Sequence, residues 1–236
     1  MKVTRNQLRN MIKNGEDVRF VDTSEIRDMG NLIQFVDTFN QDISRWDTSN
    51  VTNMNNMFHG ASVFNQDISR WNVSNVKTMN CMFRDAKSFN QPIGSWNMSN
   101  VVDTVCMFHG CTSFNQDIGS WDVSNVRNMD HMFHDAVLFN SDISQWSTNN
   151  LESTEGMFNG AVSFSHDVSS WHIESSRYVY DMFANMKYEY ILYFIAKFDD
   201  PVSVLKKVCD NVFYNRIKNT NQHDIENLIK MREITR

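Results

Sequence analysis

Long apolar runs are missing from this sequence: none reaches the ~18–20 residues of a membrane span. That excludes a helix crossing a bilayer. The first residues, "MKVTRNQLRNMIKNGED", also lack the uncharged apolar centre of a signal peptide. Cysteine is sparse, at Cys81, Cys106, Cys111 and Cys209, and none sits near the start where a lipid would attach. Four thiols without an export signal fit a reducing compartment rather than a disulfide framework. Proline occurs only at Pro92 and Pro201. No Gly-rich phosphate loop exists, and no Ser-His-Asp or Cys-His constellation is supported, so an enzyme is not expected. A basic excess is missing too. Residues 39–183 hold seven basic and fifteen acidic side chains, a net of −8. Such a body repels phosphate, which argues against nucleic acid as the partner.

What is present is repetition. "FNQDISRW" at 39–46 returns unchanged at 64–71, followed by "FNQPIGSW" at 89, "FNQDIGSW" at 114, "FNSDISQW" at 139 and "FSHDVSSW" at 164. The step is always 25 residues. Counting from the first Phe, position 8 is Trp46, Trp71, Trp96, Trp121, Trp146 and Trp171. Position 2 is Asn40, Asn65, Asn90, Asn115 and Asn140, then Ser165; positions 19 and 20 are always Met-Phe. A fixed period of this length predicts a stacked array, because one unit cannot bury its own apolar face. The Trp column is read as core. The Asn column is read as a ladder that satisfies backbone groups of the bend.

Within a unit, "QDIS" reads as a short strand. "SNV" then resembles a helix start, and Val51, Met54, Met57/Phe58 and Ala61 follow at helical spacing. Each coil is therefore expected to carry a short strand and a short helix or 3₁₀ segment, with the strands forming a parallel ladder. Position 4 (Asp42, Asp67, Pro92, Asp117, Asp142, Asp167) is read as architectural rather than as a calcium site. Position 18 includes Cys81, Cys106 and His131, and position 21 includes His59, Arg84, His109 and His134. Both are read as flanking or solvated rows, with no metal, cofactor or catalytic residue assigned. The sequons at Asn50, Asn72 and Asn97 are not expected to carry glycans without an export signal.

The unit "FNQDISxWdvSNVtnMxxMFxgAxx" resembles the BspA-type leucine-rich-repeat surface protein family, over residues 39–183 without a gap. A degenerate copy precedes it: "VDTSEIRDMGNLI" at 21–33 aligns with 46–58. The resemblance implies an α/β, leucine-rich-repeat-like right-handed solenoid of six coils plus a degenerate N-terminal coil, an all-β solenoid being the alternative. It also implies a binding or structural role. Family members occur in bacteria, protists and large DNA viruses. This chain shows no export signal, lipobox or wall-anchor tail, which favours an intracellular or virion-associated protein over a bacterial cell-surface adhesin.

Three regions result. Residues 1–38 are expected to form a helix, with Leu8, Met11 and Ile12 on one face, and a capping coil. Residues 39–183 are the repeat array. Residues 184–236 are expected to be a helical cap or docking module. The aromatic cluster Tyr188, Tyr190, Tyr193, Phe194 and Phe198 is the candidate surface for a protein partner. The expected function is a non-enzymatic scaffold for protein–protein interaction.

Overall fold

The computed structural model describes residues 1–171 and 181–186. It opens with helix α1, Arg5–Lys13. The Thr4 hydroxyl accepts from the Gln7 N–H at 3.3 Å, and the Gln7 amide oxygen accepts from the Thr4 N–H at 2.8 Å. This reciprocal pair occupies donors that a helix start leaves open. Leu8 and Ile12 are buried, and Gly15, at φ +72°, adopts the left-handed conformation just past the helix end.

Beyond α1 the backbone is laid down in 25-residue coils, each resting on the one before. Isolated parallel bridges join Asp28 to Asn53, Asn53 to Thr78, Thr78 to Asp103, Asp103 to Asn128 and Asn128 to Ser153. Along this face most backbone bonds run forward, while the residue before each bridge donates back, as Lys77 does to the Thr52 carbonyl and Val102 to the Lys77 carbonyl, both at 2.9 Å. Met54, Asn56, Phe58 and Gly60 donate to the carbonyls of Thr78, Asn80, Met82 and Arg84 at 2.8–3.1 Å. Met79, Cys81, Phe83 and Asp85 repeat the pattern onto Asp103, Val105, Met107 and His109. The first coil has no coil before it. Its carbonyls at two of the matching places, Asp28 and Gly30, accept instead from the Arg5 guanidinium. Helix α1 thus closes the acceptor end of the ladder.

Side chains hold the other sides of the coil. All six tryptophans are buried. Trp46, Trp71, Trp96, Trp121 and Trp146 donate their indole N–H to Val18, Ile43, Ile68, Ile93 and Ile118 carbonyls, at 2.9–3.2 Å. The array therefore starts with Val18, although Val21 stands where a Trp would. Phe58, Phe83, Phe108, Phe133 and Phe158 stack at 5.3–5.9 Å, tilted by 1–9°. Asn40, Asn65, Asn90, Asn115 and Asn140 each accept, through Oδ1, the N–H one coil further on, at 2.8–3.0 Å. A second row, from Asn50 to Asn150, donates its amide to serine carbonyls of the preceding coil, as Asn75 does to Ser49 at 2.7 Å. The aspartates at position 4 are engaged locally. Asp42, Asp67, Asp117, Asp142 and Asp167 accept from the N–H two residues on, at 2.9–3.0 Å, closing their own turns.

The local elements differ from those expected from the spacing. Val51, Met54, Met57, Phe58 and Ala61 are all buried, yet their backbone is a chain of turns. Alternate N–H groups go to the next coil. Those between reach back three residues: Met57 to Met54, His59 to Asn56 and Ala61 to Phe58, at 3.0–3.2 Å. Of the carbonyls a helix would need, those of Asn53, Asn55, Met57 and His59 are taken by the preceding coil. Asn56 at φ 56° and Gly60 at φ 75° also lie in the left-handed region, which ends a right-handed helix. The "QDIS" stretch carries the aspartate turn, and the parallel bridges fall ten or more residues later in the coil, at Asn53 and its equivalents. Among the described residues α1 is the only α-helix. The helices and the aromatic cluster expected from residue 188 onward lie outside the described residues.

Candidate functional site

Two left-handed positions recur in every coil, and their residues change between copies. Position 18 runs Asn31, Asn56, Cys81, Cys106, His131, Gly156 and Asp181, all at φ 53–60°. Asn, Asp and Gly adopt this region readily. Cys81, Cys106 and His131 are held there against roughly 1–2 kcal/mol each. Position 22 alternates Gly60, Asp85, Gly110, Asp135 and Gly160, at φ 56–75°. The alternation has a steric cause. A Cβ on Gly110 would lie 2.4 Å from Asp85 Oδ1, and one on Gly160 would lie 2.2 Å from Asp135 Oδ1. Each aspartate lays one carboxylate oxygen over the glycine of the next coil.

The other oxygen turns toward position 21. Asp85 Oδ2 lies 3.5 Å from Arg84 Nε and 3.8 Å from His59 Nε2. Two coils on, Asp135 Oδ2 lies 3.0 Å from His134 Nδ1. The His134 ring stacks on His109 with centroids 4.5 Å apart and planes 4° from parallel. One donor atom from each of His109, His134 and Asp135 lies within 4.8 Å of the others. His131 flanks the group, its ring 5.6 Å from that of His134, packed where a Cβ on Gly156 would meet its Nδ1 at 2.4 Å.

Burial works against charge on His59, His109 and His134. Burial, then the neighbouring His134 and Arg84, hold His109 down to about 4. Burial also lowers His134, with Asp135 opposing it, and lowers His59. The Nδ1 atoms of His109, His131 and His134 are buried without a hydrogen-bond partner. For His134 the 3.0 Å approach to Asp135 is close enough for an ion pair, but it is not aligned as a hydrogen bond. The adjoining thiols are unlike one another. Cys81, half-buried, is lowered by a hydrogen bond from the Cys106 thiol and by Arg84, while Cys106 is pushed up by the same hydrogen bond. Cys111 is buried, its thiol 2.7 Å from the Phe83 carbonyl.

Position 21, read from sequence as a solvated basic row, is half-buried at His59, His109 and His134. Positions 18 and 21, treated separately in the sequence, meet on one face. Position 22 is the row that sequence reasoning missed, and its signal was the strict alternation of Gly with Asp beside the His/Arg row. The Trp and Asn columns lie in the core and at the coil-to-coil contacts. Tyr188, Tyr190, Tyr193, Phe194 and Phe198 lie outside the described residues.

A family model described as "Mycoplasma protein of unknown function, DUF285" matches residues 4–118 and 91–190. No curated protein and no solved structure matches the chain.

Proposed function

Since the chain belongs to this Mycoplasma-type repeat family, DUF285, which is related to BspA-like surface repeat proteins, we propose that it is a non-enzymatic repeat scaffold that binds other proteins. In this reading the stacked coils make a leucine-rich-repeat-like solenoid whose repeated residues serve the stack and whose variable residues meet the partner. One observation carries it. The residues common to the coils form the rows that hold the stack, whereas the exposed position 14, beside the bridge row, differs between adjacent coils: Thr52, Lys77, Val102, Arg127 and Glu152, with Val102 apolar and the Arg127–Glu152 pair at the surface. A file of varied side chains on an invariant frame is how stacked-repeat proteins build extended binding surfaces.

The test is site-specific photo-cross-linking. A photoreactive residue at Val102 or Arg127, in extract of the native source, is expected to capture a protein that one at Ser95 or Ser120 does not. Equal capture at all four sites, or capture at none, sinks the reading. The family's relation to surface repeat proteins favours a second reading, a bacterial adhesin of the BspA type that uses the same face outside the cell. Protease treatment of intact cells separates the two: loss of the protein supports the adhesin, and protection supports a scaffold within the cell.

A further inference from the structure

We propose that His109, His134 and Asp135 form a binding site for a divalent d-block cation, with Zn²⁺ as its representative. Two imidazole nitrogens and a carboxylate are a donor set suited to such ions and leave a fourth position open for water or a partner's side chain. Ligand atoms on a tetrahedral ion with ~2.0–2.1 Å bonds sit roughly 3.3 Å apart. His134 Nδ1 and Asp135 Oδ2, at 3.0 Å, already have that separation, and they are not aligned to share a proton instead. His109 brings a second ring against the first at 4.5 Å, and its own Nδ1 is also buried and unpartnered. Asp135 is the most exposed of the three, and the remaining donor separations are within 4.8 Å.

The chain carries its own comparison. One pair of coils earlier, Asp85 occupies the same place over a glycine, and the guanidinium of Arg84 stands beside it at 3.5 Å, with His59 at 3.8 Å. There the protein supplies a permanent cation. At Asp135 the equivalent side chain is His134, and among the described residues it is the one basic group within ion-pair distance. A bound cation completes at coils three and four what arginine completes at coils one and two. Gly160 keeps the Asp135 cradle open, since any Cβ there would strike the carboxylate.

The experiment uses the full chain, stripped with chelator and titrated with Zn²⁺ and with Co²⁺. The wild type is expected to bind one more equivalent than the H109N/H134N double variant. Its Co²⁺ complex should show ligand-field bands that the variant lacks. D135N should weaken binding by at least about 10–100-fold, the effect of losing even an outer-shell partner, and H59N should not. Should the double variant fail to fold, the wild type alone decides the matter. Co²⁺ must then broaden the ring signals of His109 and His134 before those of His59 and His166. Equal stoichiometry and affinity in wild type and double variant, or broadening that begins at other histidines, would overturn the site. So would the absence of any wild-type binding in the micromolar range.

Discussion

Trp96 sits in the middle of the array, and its removal puts a number on what holds one coil to the next. The indole is 3% exposed, its ring centroid is 6.3 Å from that of Phe83, and its N–H donates to the Ile68 carbonyl at 3.2 Å. Trp96→Ala opens a cavity costing about 3–5 kcal/mol. It also removes one of two donors to the buried Ile68 carbonyl, which keeps the Trp71 N–H at 3.1 Å, a loss of about 0.5–1.5 kcal/mol. The two overlap, so the expected cost is on the order of 5 kcal/mol. Trp96→Phe keeps most of the volume and loses the N–H, so the lost bond should cost roughly 0.5–1.5 kcal/mol. Urea unfolding followed by far-UV circular dichroism measures both. Because the described coils are bonded to their immediate neighbours, the alanine variant is also expected to broaden the transition, its N- and C-terminal halves unfolding apart. A cost for Trp96→Ala within the ~0.5 kcal/mol typical of surface sites would show that the column does not face the core.

Three further predictions rest on single columns. Hydrogen bonds from Ser44, Ser69 and Ser144 hold Asp42, Asp67 and Asp142 below the usual aspartate range. The unfolded chain then takes up these protons first, so stability is lost as pH falls from about 4 through the lowered folded values. Asp67→Asn, which keeps the acceptor as Asn72 does in a like turn, should be near neutral at pH 7 and should shallow the acid transition in urea midpoints; an unchanged acid transition argues against this. Gly160→Ala places a Cβ against Asp135 at φ +75° and should cost at least ~1–2 kcal/mol in thermal or urea melts; a neutral variant would show that the cradle yields freely. Iodoacetamide at neutral pH should label Cys81 ahead of Cys106 and Cys111, read by peptide mass spectrometry, because Cys81 is the more exposed and its thiolate is favoured. Faster labelling of Cys111 would contradict the burial described above.

The period made the columns legible. A 25-residue step with invariant Trp, Phe and Asn shows which side chains meet their counterparts, and Trp46 meets Trp71, Phe83 meets Phe108 and Asn90 meets Asn65. The backbone between columns was less legible. Val51, Met54, Phe58 and Ala61 have helical spacing because a run of tight turns also returns the chain to one face every three or four residues. Only the left-handed residues distinguish the two cases. At position 18 those are partly Cys and His, residue types that do not advertise such a conformation, while Gly60 and Gly160 do. The His109–His134–Asp135 group was illegible for another reason. Its members are unremarkable in any one coil, and the group exists only where coils three and four stack.

The ladder between coils and its side-chain rows have a consequence for length. Each coil offers its successor the same donors and acceptors that its predecessor offered it. A whole unit gained or lost therefore leaves every remaining junction matched, whereas a single inserted residue leaves one junction unmatched along its whole perimeter. The identical stretches at 39–46 and 64–71 are places where unequal recombination would make that change cleanly. Relatives built this way are expected to come in discrete sizes, 25 residues apart, with Arg5 closing the same end whatever the copy number. Across such a series, the spacing between the α1 end and the variable residues would be graduated like the marks on a ruler.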